Sequence, residues 1–351
     1  MVKAFAERLL AWFDVHGRHD LPWQHPRDSY RVWVSEVMLQ QTQVRTVIGY
    51  FERFMTELPN VEALAGSSED RVLGLWSGLG YYSRARNLHR AAKIVVGDHG
   101  GELPRDIETL SLLPGLGRST AAAILAQAHG QRQAILDGNV KRVLARHRGI
   151  AGWPGTSSVQ ARLWSAAEAS TPRQRIADYT QAIMDLGATV CVRSRPLCAM
   201  CPVAGDCVAH LESRTGELPQ RKPRREIPTR ATTMLMLRDG RGRVLLQRRP
   251  PTGIWAGLWS LPEYVDLKSA KSASNKRGAA RAQALATFTH TFSHYHLEIT
   301  PLLALIDAPD NQVADAPDLE WYGSDEWRSL GLPAPVRRLL VAITQENFDA
   351  S

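Results

Sequence analysis

The sequence predicts two unlike domains: a mainly α-helical N-terminal region and an α+β C-terminal domain. From Ala4 to about Leu211, apolar residues recur at three- and four-residue spacing, and glycine and proline end the runs. After Arg230 the spacing changes to that of strands. All four cysteines lie between these regions, from Cys191 to Cys207. A chain of 351 residues is long enough for two or three domains with substantial cores.

The N-terminal region divides into short helices, because glycine and proline interrupt the apolar periodicity. Eight helices are predicted, at Phe5–Val15, Tyr30–Phe54, Ser68–Trp76, Ser83–His99, Ile107–Leu113, Ser119–His129, Val140–His147 and Gln160–Ser170.

Residues 213–230 are rich in proline, arginine and lysine, which is typical of a solvated basic connector or of a segment that contacts DNA. Beyond it, Asp239-Gly-Arg-Gly indicates a hairpin between two strands. The predicted elements of residues 231–351 are strands at Thr232–Leu237 and Val244–Arg248, one or two strands within Phe288–Thr300, a helix at Pro335–Gln345, and a mobile surface loop at Ser269–Arg281.

The net charge of +8 suits an anionic partner such as nucleic acid, although many basic proteins bind none. No apolar run has the length of a membrane span, and no secretory leader is recognisable. We therefore expect a cytoplasmic protein without membrane association. Disulfides are not expected in that reducing compartment.

The cysteines follow the spacing Cys-x6-Cys-x2-Cys-x5-Cys. Structural zinc usually takes two close pairs of ligands, and only Cys198 and Cys201 form such a pair here. Four thiolates on one continuous loop favour the larger 4Fe–4S cluster. Zinc and ordinary free thiols remain the alternatives.

Leu113-Pro-Gly-Leu-Gly-Arg-Ser119 joins two predicted helices. A Gly-x-Gly turn that opens into a helix presents backbone N–H groups to a phosphate. The segment is typical of a helix-hairpin-helix that grips the DNA backbone without reading sequence. An ordinary helix–helix turn is the alternative.

Two carboxylates are candidates for a chemical role. Glu36 lies inside an apolar helix, where it would be either a raised-pKa general acid or the partner of an arginine such as Arg45. Asp137 precedes a new helix, the usual position of an N-cap aspartate. A cap and a catalytic role could coexist at Asp137.

Taken in order, these segments resemble the adenine DNA glycosylases of the helix-hairpin-helix superfamily, over nearly the whole chain. The segments that carry the resemblance are Leu21-Pro-Trp, Ser35-Glu-Val-Met-Leu-Gln-Gln-Thr-Gln-Val44, Gly78-Leu-Gly-Tyr-Tyr82, the hairpin, Leu136-Asp-Gly-Asn-Val-Lys-Arg142, the cysteines and Phe292-Ser-His294.

The resemblance implies a monofunctional glycosylase that removes adenine mispaired with 8-oxoguanine or guanine in double-stranded DNA, acts as a monomer and carries a 4Fe–4S cluster. Glu36 would protonate adenine and Asp137 would stabilise the oxocarbenium-like sugar. The other implied site residues are Trp23, Gln24 and Gln181 around adenine; Gln41, Thr42, Leu79, Tyr81, Phe292, Ser293 and His294 near the lesion; Gly115, Gly117, Arg118, Ser119, Lys141 and Gly253 at the DNA backbone; and the cluster ligands Cys191, Cys198, Cys201 and Cys207.

The implied architecture is a catalytic region at 1–212, a linker at 213–230 and a Nudix-like lesion-recognition domain at 231–351. The catalytic region would contain a six-helix barrel at about 28–133 and an iron–sulfur subdomain formed by 1–27 and 134–212. Gly257-Leu-Trp-Ser-Leu-Pro-Glu263 matches the opening of a Nudix box, but the acids that would hold Mg²⁺ do not follow.

Four alternatives stay open. Relatives in the endonuclease III branch carry a lysine nucleophile where this chain has Ser119, and a hydroxyl cannot form a Schiff base. A thymine-mismatch glycosylase belongs to the same superfamily. A nucleotide pyrophosphohydrolase would need the missing Nudix acids, and a non-catalytic mismatch-binding protein would not need Glu36.

Overall fold

The computed structural model describes residues 4–222, 227–292, 294–306 and 318–345. The chain forms two compact units, one from Met1–Gly66 with Asn87–Arg224 and one from Ser67–Arg86 with Arg225–Ser351. Ser67–Arg86, which was predicted to lie in the helical barrel, therefore groups with the C-terminal residues.

Short α-helices make up the described part of the chain as far as Leu211, as predicted. They are α1 Phe5–His16, α2 Ser29–Leu39, α3 Val44–Glu57, α4 Val61–Gly66, α5 Glu69–Leu75, α6 Ser83–His99, α7 Ile107–Leu112, α8 Arg118–His129, α9 Gly138–His147, α10 Ser157–Ser170, α11 Ile176–Asp185 and α12 Val208–Leu211.

The predicted helix Tyr30–Phe54 is wrong as one element, because α2 and α3 are separated at Gln40–Gln43. Gln41 has a left-handed φ of 60°, which an α-helix cannot contain. The break places Gln41 and Thr42 in a loop. Helices α4, α11 and α12 were not predicted.

The core of the first unit joins α1, α8, α9, α10 and α11. Leu9, Leu144 and Leu163 are 0% exposed, and Phe13 and Ile183 are 1% exposed. These apolar contacts fix the N-terminal ends of α8 and α9, where Ser119 and Asp137 lie.

The second unit contains an eight-stranded mixed sheet in its described residues. Strands β1 and β7 pair in parallel, and the other pairs are antiparallel. The strands are β1 Thr229–Asp239, β2 Val244–Arg248, β3 Trp259–Ser260, β4 Glu263–Tyr264, β5 Arg281–Ala284, β6 Phe288–Thr291, β7 His296–Ile306 and β8 Leu319–Tyr322, and the helices are α13 Leu267–Lys276, α14 Ser324–Ser329 and α15 Ala334–Gln345.

Strand β1 has apolar residues on both faces, because alternate side chains point to opposite sides of a sheet. Met234 and Met236 pack in the cluster that contains Trp327 and Leu340 from α14 and α15. Leu235 and Leu237 pack in the cluster that contains Ala270 from α13. The sheet is therefore covered by helices on both faces.

The loop predicted at Ser269–Arg281 is wrong. Asp266 caps α13 by accepting a hydrogen bond from the Ser269 backbone N–H at 2.7 Å, and Ala270 and Ser274 are buried. The helix is polar in composition and is stabilised by this narrow buried stripe and its cap.

In the described residues, no helix is long and apolar enough to cross a bilayer.

Candidate active site

A cavity of about 1060 Å³ opens in the helical unit, and both predicted catalytic carboxylates line it. Glu36 comes from the middle of α2, and Asp137 stands at the start of α9. The same cavity is lined by Trp23, Gln41, Thr42, Ser119 and Gln181 from the predicted set, and by Arg18, Leu21, Leu39, Gln40, Gln43, Val44, Arg45, Thr120, Gly138, Asn139, Arg142, Met184 and Ala188.

Glu36 is a weak acid suited to proton transfer. Burial and, to a smaller extent, the negative charge of Asp137 raise the pKa of its carboxyl to about 7, while a hydrogen bond from Gln127 opposes the rise. Gln127 Nε2 donates to Glu36 Oε1 at 2.9 Å. In the described residues Glu36 has this amide as its partner, not Arg45. A carboxyl with a pKa near 7 is present in both protonation states at neutral pH.

Asp137 is the N-cap that its position predicted. Its Oδ1 accepts a hydrogen bond from the Val140 backbone N–H at 2.7 Å. Burial raises the pKa of Asp137, while that hydrogen bond and the positive charge of Arg142 favour the ionised form. The cap holds the carboxylate at the wall of the cavity, so structural and chemical roles are compatible.

Two of the three predicted adenine-pocket residues line the cavity. Trp23 is 2% exposed and packs edge-on against Phe51 with ring centroids 5.4 Å apart. Gln181 is also a lining residue. Gln24 is 2% exposed but does not line the cavity, and in the described residues neither atom of its amide has a hydrogen-bond partner.

Ser119 supports the segment that leads into Asp137. Its Oγ accepts a hydrogen bond from the Leu136 backbone N–H at 2.9 Å. The side chain also lines the cavity, where it presents a hydroxyl and not an amine. Ser119 is therefore placed to position Asp137 through the backbone.

The predicted hairpin joins α7 to α8. Gly115 has φ +81°, and a Cβ there would stand 2.9 Å from Asn87 Cβ, so glycine is required on both counts. Gly117 is the N-cap of α8. Arg118 forms an ion pair with Glu168 at 2.6 Å and lies 3.9 Å from the ring centroid of Trp164. A DNA phosphate would have to compete with these partners for Arg118. Lys141, the other predicted phosphate contact, is half-buried on α9.

The four cysteines line one small cavity. In the described residues they do not form a closed set of metal ligands. Burial raises the pKa of the Cys201 thiol to about 11 and also raises the pKa values of Cys198 and Cys207. Thiols of this kind are protonated at neutral pH unless a metal replaces the proton.

Two arginines of α9 hold the start of the cysteine loop. Arg142 donates from Nε to the Cys191 carbonyl at 2.7 Å and from Nη2 to the Gly187 carbonyl at 2.6 Å. Arg146 donates to the Val192 carbonyl at 2.7 Å and lies 3.4 Å from Cys191 Sγ. The loop is thus fixed to the helix that Asp137 caps.

Leu79 and Tyr81 lie in the second unit and differ in exposure. Leu79 is buried, whereas Tyr81 is 52% exposed and has a left-handed φ of 49°. Arg84 Nη2 donates to the Leu79 and Gly80 carbonyls at 3.3 and 3.2 Å, and its guanidinium lies over the Tyr81 ring. The loop holds an aromatic ring out into solvent.

An aromatic cluster contains Phe292 and His294. Phe292 contacts Trp255, His290 and Tyr295 with ring centroids 4.7–5.2 Å apart, and His294 packs against Tyr295. Ser293 lies outside the described residues. Gly253 has φ +87°, and in the described residues no atom lies within 4 Å of the point where a Cβ would stand, so its backbone faces open space.

The Nudix-box glutamate is already paired. Glu263 forms an ion pair with Arg249 at 2.5 Å. Helix α13, which follows, has no acidic residue in its sequence. A carboxylate paired with an arginine, with Asp266 as the one acidic residue between 264 and 281, is a poor Mg²⁺ ligand.

Several residues in the cavity wall or in contact with it were not singled out from the sequence. Arg18 and Asp185 form an ion pair with oxygen and nitrogen 2.5 Å apart, and Gln181 donates to the same aspartate. Gln181 and Asp185 lie one turn apart on a helix, and this spacing could have indicated the contact between their side chains. The contact of Gln127 with Glu36 joins residues 91 positions apart and has no local signal.

The chain matches two family models. One describes HhH-GPD superfamily base excision DNA repair proteins and matches residues 34–169. The other describes the NUDIX domain and matches residues 233–342. Both matches agree with the predicted fold classes.

Relatives match over nearly the whole chain. An adenine DNA glycosylase of Buchnera aphidicola subsp. Acyrthosiphon pisum (strain APS) is 34% identical and covers 98% of this chain and 97% of its own. The adenine DNA glycosylase of Mus musculus is 36% identical and covers 96% of this chain and 77% of its own.

Solved structures match the helical region. A thermostable thymine-DNA glycosylase aligns with a TM-score of 0.53 and 27% identity, over 59% of this chain and 95% of that one. A non-covalent endonuclease III–DNA complex aligns with a TM-score of 0.51 and 20% identity, over 59% of this chain and 94% of that one, which shows a shared fold.

Proposed function

The chain belongs to the adenine DNA glycosylase family, and on that premise we propose that it excises adenine mispaired with 8-oxoguanine or guanine from duplex DNA and leaves an abasic site. The observation that carries this proposal is the pair Glu36 and Asp137 on one cavity, with the pKa of Glu36 raised to about 7. One chain would act alone, in the compartment that holds the DNA.

The chemistry begins with a base that has left the stack, since the glycosidic bond is inaccessible inside a duplex. Protonated Glu36 donates its proton to N7 of adenine, and the C1′–N9 bond breaks with its electron pair going to a neutral base. The Asp137 carboxylate stabilises the positive charge that develops on the sugar. Glu36, now ionised, takes a proton from the water that attacks C1′.

The reaction would stop at base removal because Ser119 has no amine. Strand cleavage by this superfamily requires an amine that attacks C1′ and forms a Schiff base. The hydrogen bond from the Leu136 N–H to Ser119 Oγ gives that hydroxyl a structural task. Lys141 is assigned to phosphate contact.

The remaining predicted residues are assigned to recognition of DNA. Tyr81, exposed and with a left-handed backbone conformation, suits a wedge in the opened stack. We assign Gln41, Thr42 and Leu79 to contacts with the strand that carries the lesion. The C-terminal domain would read 8-oxoguanine through Phe292, Ser293 and His294. The Arg249–Glu263 ion pair argues against a pyrophosphohydrolase.

We assign a 4Fe–4S cluster to Cys191, Cys198, Cys201 and Cys207. The donor set fits, since all four thiols line one cavity and the spacing suits a cluster better than zinc. When bound, the cluster supplies iron–sulfur bonds that hold residues 191–207 as an ordered loop. Arg193 and Arg195 on that loop would then lie near DNA phosphates.

Cys198→Ser is expected to lower the yield of folded protein and the affinity for duplex DNA, because an oxygen ligand replaces one of four thiolates. Iron and sulfide content, folding yield and duplex binding would be measured. The rate per correctly folded molecule should stay within about threefold of the unsubstituted protein, since catalysis is assigned elsewhere. Zinc in place of iron, or unchanged iron and folding in Cys198→Ser, would contradict the assignment.

The function itself is tested by single-turnover incubation with duplexes that contain A:8-oxoguanine, A:G or T:G. We expect base release from A:8-oxoguanine, slower release from A:G and none from T:G. Strands should break only after heat or alkali, because an abasic site is left intact. Processing of T:G in place of adenine would refute the substrate. Cleavage without heat that is lost in Lys141→Ala would refute the monofunctional reaction.

A further inference from the structure

The loop that carries Tyr81 has an unusual backbone. Gly78, Gly80 and Tyr81 have positive φ values of 103°, 73° and 49°. Glycine adopts such values without cost, whereas a tyrosine in this region is strained and stays there only when the surrounding structure holds it. The exposed ring proposed as the wedge therefore depends on contacts that keep residues 78–82 in place.

Contacts from residues of the flanking helices fix the middle of this loop. Trp76 Nε1, directly after α5, donates to the Gly80 carbonyl at 3.2 Å. Arg84 Nη2, on α6, donates to the same carbonyl at 3.2 Å. Both side chains belong to buried residues, so these bonds are protected from water. Gly80 is thus held next to Tyr81.

The C-terminal residues hold the two ends of the loop through the hydroxyl of Tyr82. Tyr82 Oη donates to the Leu332 carbonyl at 2.8 Å and accepts from the Gly78 backbone N–H at 3.3 Å. Tyr82 is 9% exposed, and Leu332 is 0% exposed. Because the loop begins at Gly78 and ends at Tyr82, one buried hydroxyl ties both ends to a residue 250 positions away in the sequence.

A second contact lies just before the loop. Arg337 Nη2, on α15, donates to Ser77 Oγ at 3.0 Å and to the Leu330 carbonyl at 3.2 Å. A Cβ on Gly331 would stand 2.7 Å from Leu73 Cβ, so the segment before α15 lies directly against α5. The C-terminal residues therefore support both the loop and the helix that leads into it.

Leu332 also belongs to the core that supports the proposed lesion-reading segment. Leu332 packs in one buried cluster with Tyr295 and Trp327, and Phe292 packs against the same cluster. A close-packed interior has low compressibility and transmits displacement. The positions of the Leu332 carbonyl and of Phe292 are therefore set by the same core.

We propose that Tyr82 is a positioning residue through which the C-terminal domain holds Tyr81 in the conformation of a wedge. The inference rests on the proposed function and gives the C-terminal domain a second task besides reading 8-oxoguanine, namely support for the opening of the base stack. Tyr82 acts through Tyr81, since its own hydroxyl is bound to protein groups at both ends of the loop.

A purely structural role for Tyr82 is the competing account. Loss of a buried hydrogen bond lowers stability and leaves the Leu332 carbonyl and the Gly78 N–H without this partner. The two accounts differ in whether the hydroxyl still matters once the Tyr81 ring is gone. Residues that act through one another have non-additive effects, whereas independent effects add.

The first test measures wedge insertion directly. Duplexes carry an uncleavable adenosine analogue opposite 8-oxoguanine, with 2-aminopurine as the neighbour on the 5′ side of the lesion in one duplex and on the 3′ side in the other. Fluorescence of 2-aminopurine rises when the base loses its stacking partner. At saturating protein, Tyr82→Phe should give a rise about twofold smaller than that of the unsubstituted protein, because the wedge conformation is less populated.

Tyr30→Phe is the matched control. It removes the same kind of bond, from a buried phenol to the Leu58 carbonyl at 2.8 Å, in the helical unit. The loss of stability should be similar, and the fluorescence rise should match that of the unsubstituted protein.

The second test is single-turnover release of adenine opposite 8-oxoguanine. Tyr82→Phe should slow release about tenfold, the effect of about one hydrogen bond. In the Tyr81→Ala background, the same change should slow release by less than about twofold, because the ring that the hydroxyl positions is absent. If Tyr82→Phe does not fold, Ser77→Ala removes the acceptor of Arg337 and should act in the same direction with a smaller effect.

A full fluorescence rise with Tyr82→Phe, or a tenfold slowing that persists in the Tyr81→Ala background, overturns the inference. The absence of any rise with the unsubstituted protein, in both duplexes, would show that Tyr81 is not a wedge and would overturn the inference as well. Failure of the unsubstituted protein to release adenine would instead refute the proposed function.

Discussion

Glu36→Gln is expected to slow adenine release by about a thousandfold or more, since a general acid contributes roughly 10²–10⁴ in rate and glutamine has no proton to give. The substitution is nearly isosteric, and Gln127 Nε2 can still donate to the new amide oxygen, so the cavity should keep its shape. Single-turnover excision from A:8-oxoguanine measures the loss. Affinity for the same duplex with an uncleavable adenosine analogue should stay within about threefold of that of the unsubstituted protein.

Glu52→Gln is the matched control, because Glu52 is an exposed carboxylate on α3 of the same unit. Its rate should equal that of the unsubstituted protein.

The dependence of the excision rate on pH gives an independent check. Only the acid form of Glu36 donates, so the rate should be high below pH 7 and fall as pH rises through about 7, the pKa of Glu36. Substantial excision by Glu36→Gln would contradict the assignment of Glu36 as the general acid.

Asp137→Asn should slow base release by about 10²–10³, the effect of removing one group that stabilises transition-state charge. Asparagine caps a helix as well as aspartate does, so the bond to the Val140 N–H and the start of α9 should survive. The variant therefore removes the charge and keeps the structure. Thermal unfolding should change little, in contrast to Asp137→Ala, which loses the cap and about 1 kcal/mol of stability.

Asp137→Asn should also shift the pH profile of the excision rate. The negative charge of Asp137 raises the pKa of Glu36, so its removal should shift the fall in rate to lower pH. Asp106→Asn, a cap substitution at the start of α7, is the control and should alter neither rate nor profile. Near-normal excision by Asp137→Asn would mean that Asp137 acts only as a cap.

The residues proposed for the catalytic site and for the cluster could be identified in the sequence from local features. Glu36 is a charge within an apolar helix, Asp137 precedes a helix, and the cysteines occur together. The long-range hydrogen-bond partners in and around the site were not predictable. Gln127 reaches Glu36 across 91 residues because α2 packs on α8, and Arg18 reaches Asp185 across 167. Such contacts are consequences of tertiary packing and leave no periodic signal.

Errors in the predicted fold have the same origin. Apolar residues keep helical spacing from Tyr30 to Phe54, yet the helix is interrupted at Gln41, which has a left-handed φ. The loop formed there lines the cavity. Helix α13 has a composition typical of a loop, and it is stabilised by the Asp266 cap, by the packing of Ala270 in the cluster under the sheet and by the burial of Ser274. In both places the tertiary environment overrides local preference.

The buried carboxyl of Glu36 also affects how firmly the protein is folded. Its pKa is about 7 in the native state and near the ordinary value of 4.5 when the chain is unfolded, so unfolding between these two pH values releases a proton. With respect to this group alone, the native state is most favoured below pH 4.5 and loses that advantage as pH rises through 7. At alkaline pH the ionised group should lower the free energy of unfolding by about 3 kcal/mol. The residue proposed as the general acid is thus also expected to lower the melting temperature of the protein in alkaline solution.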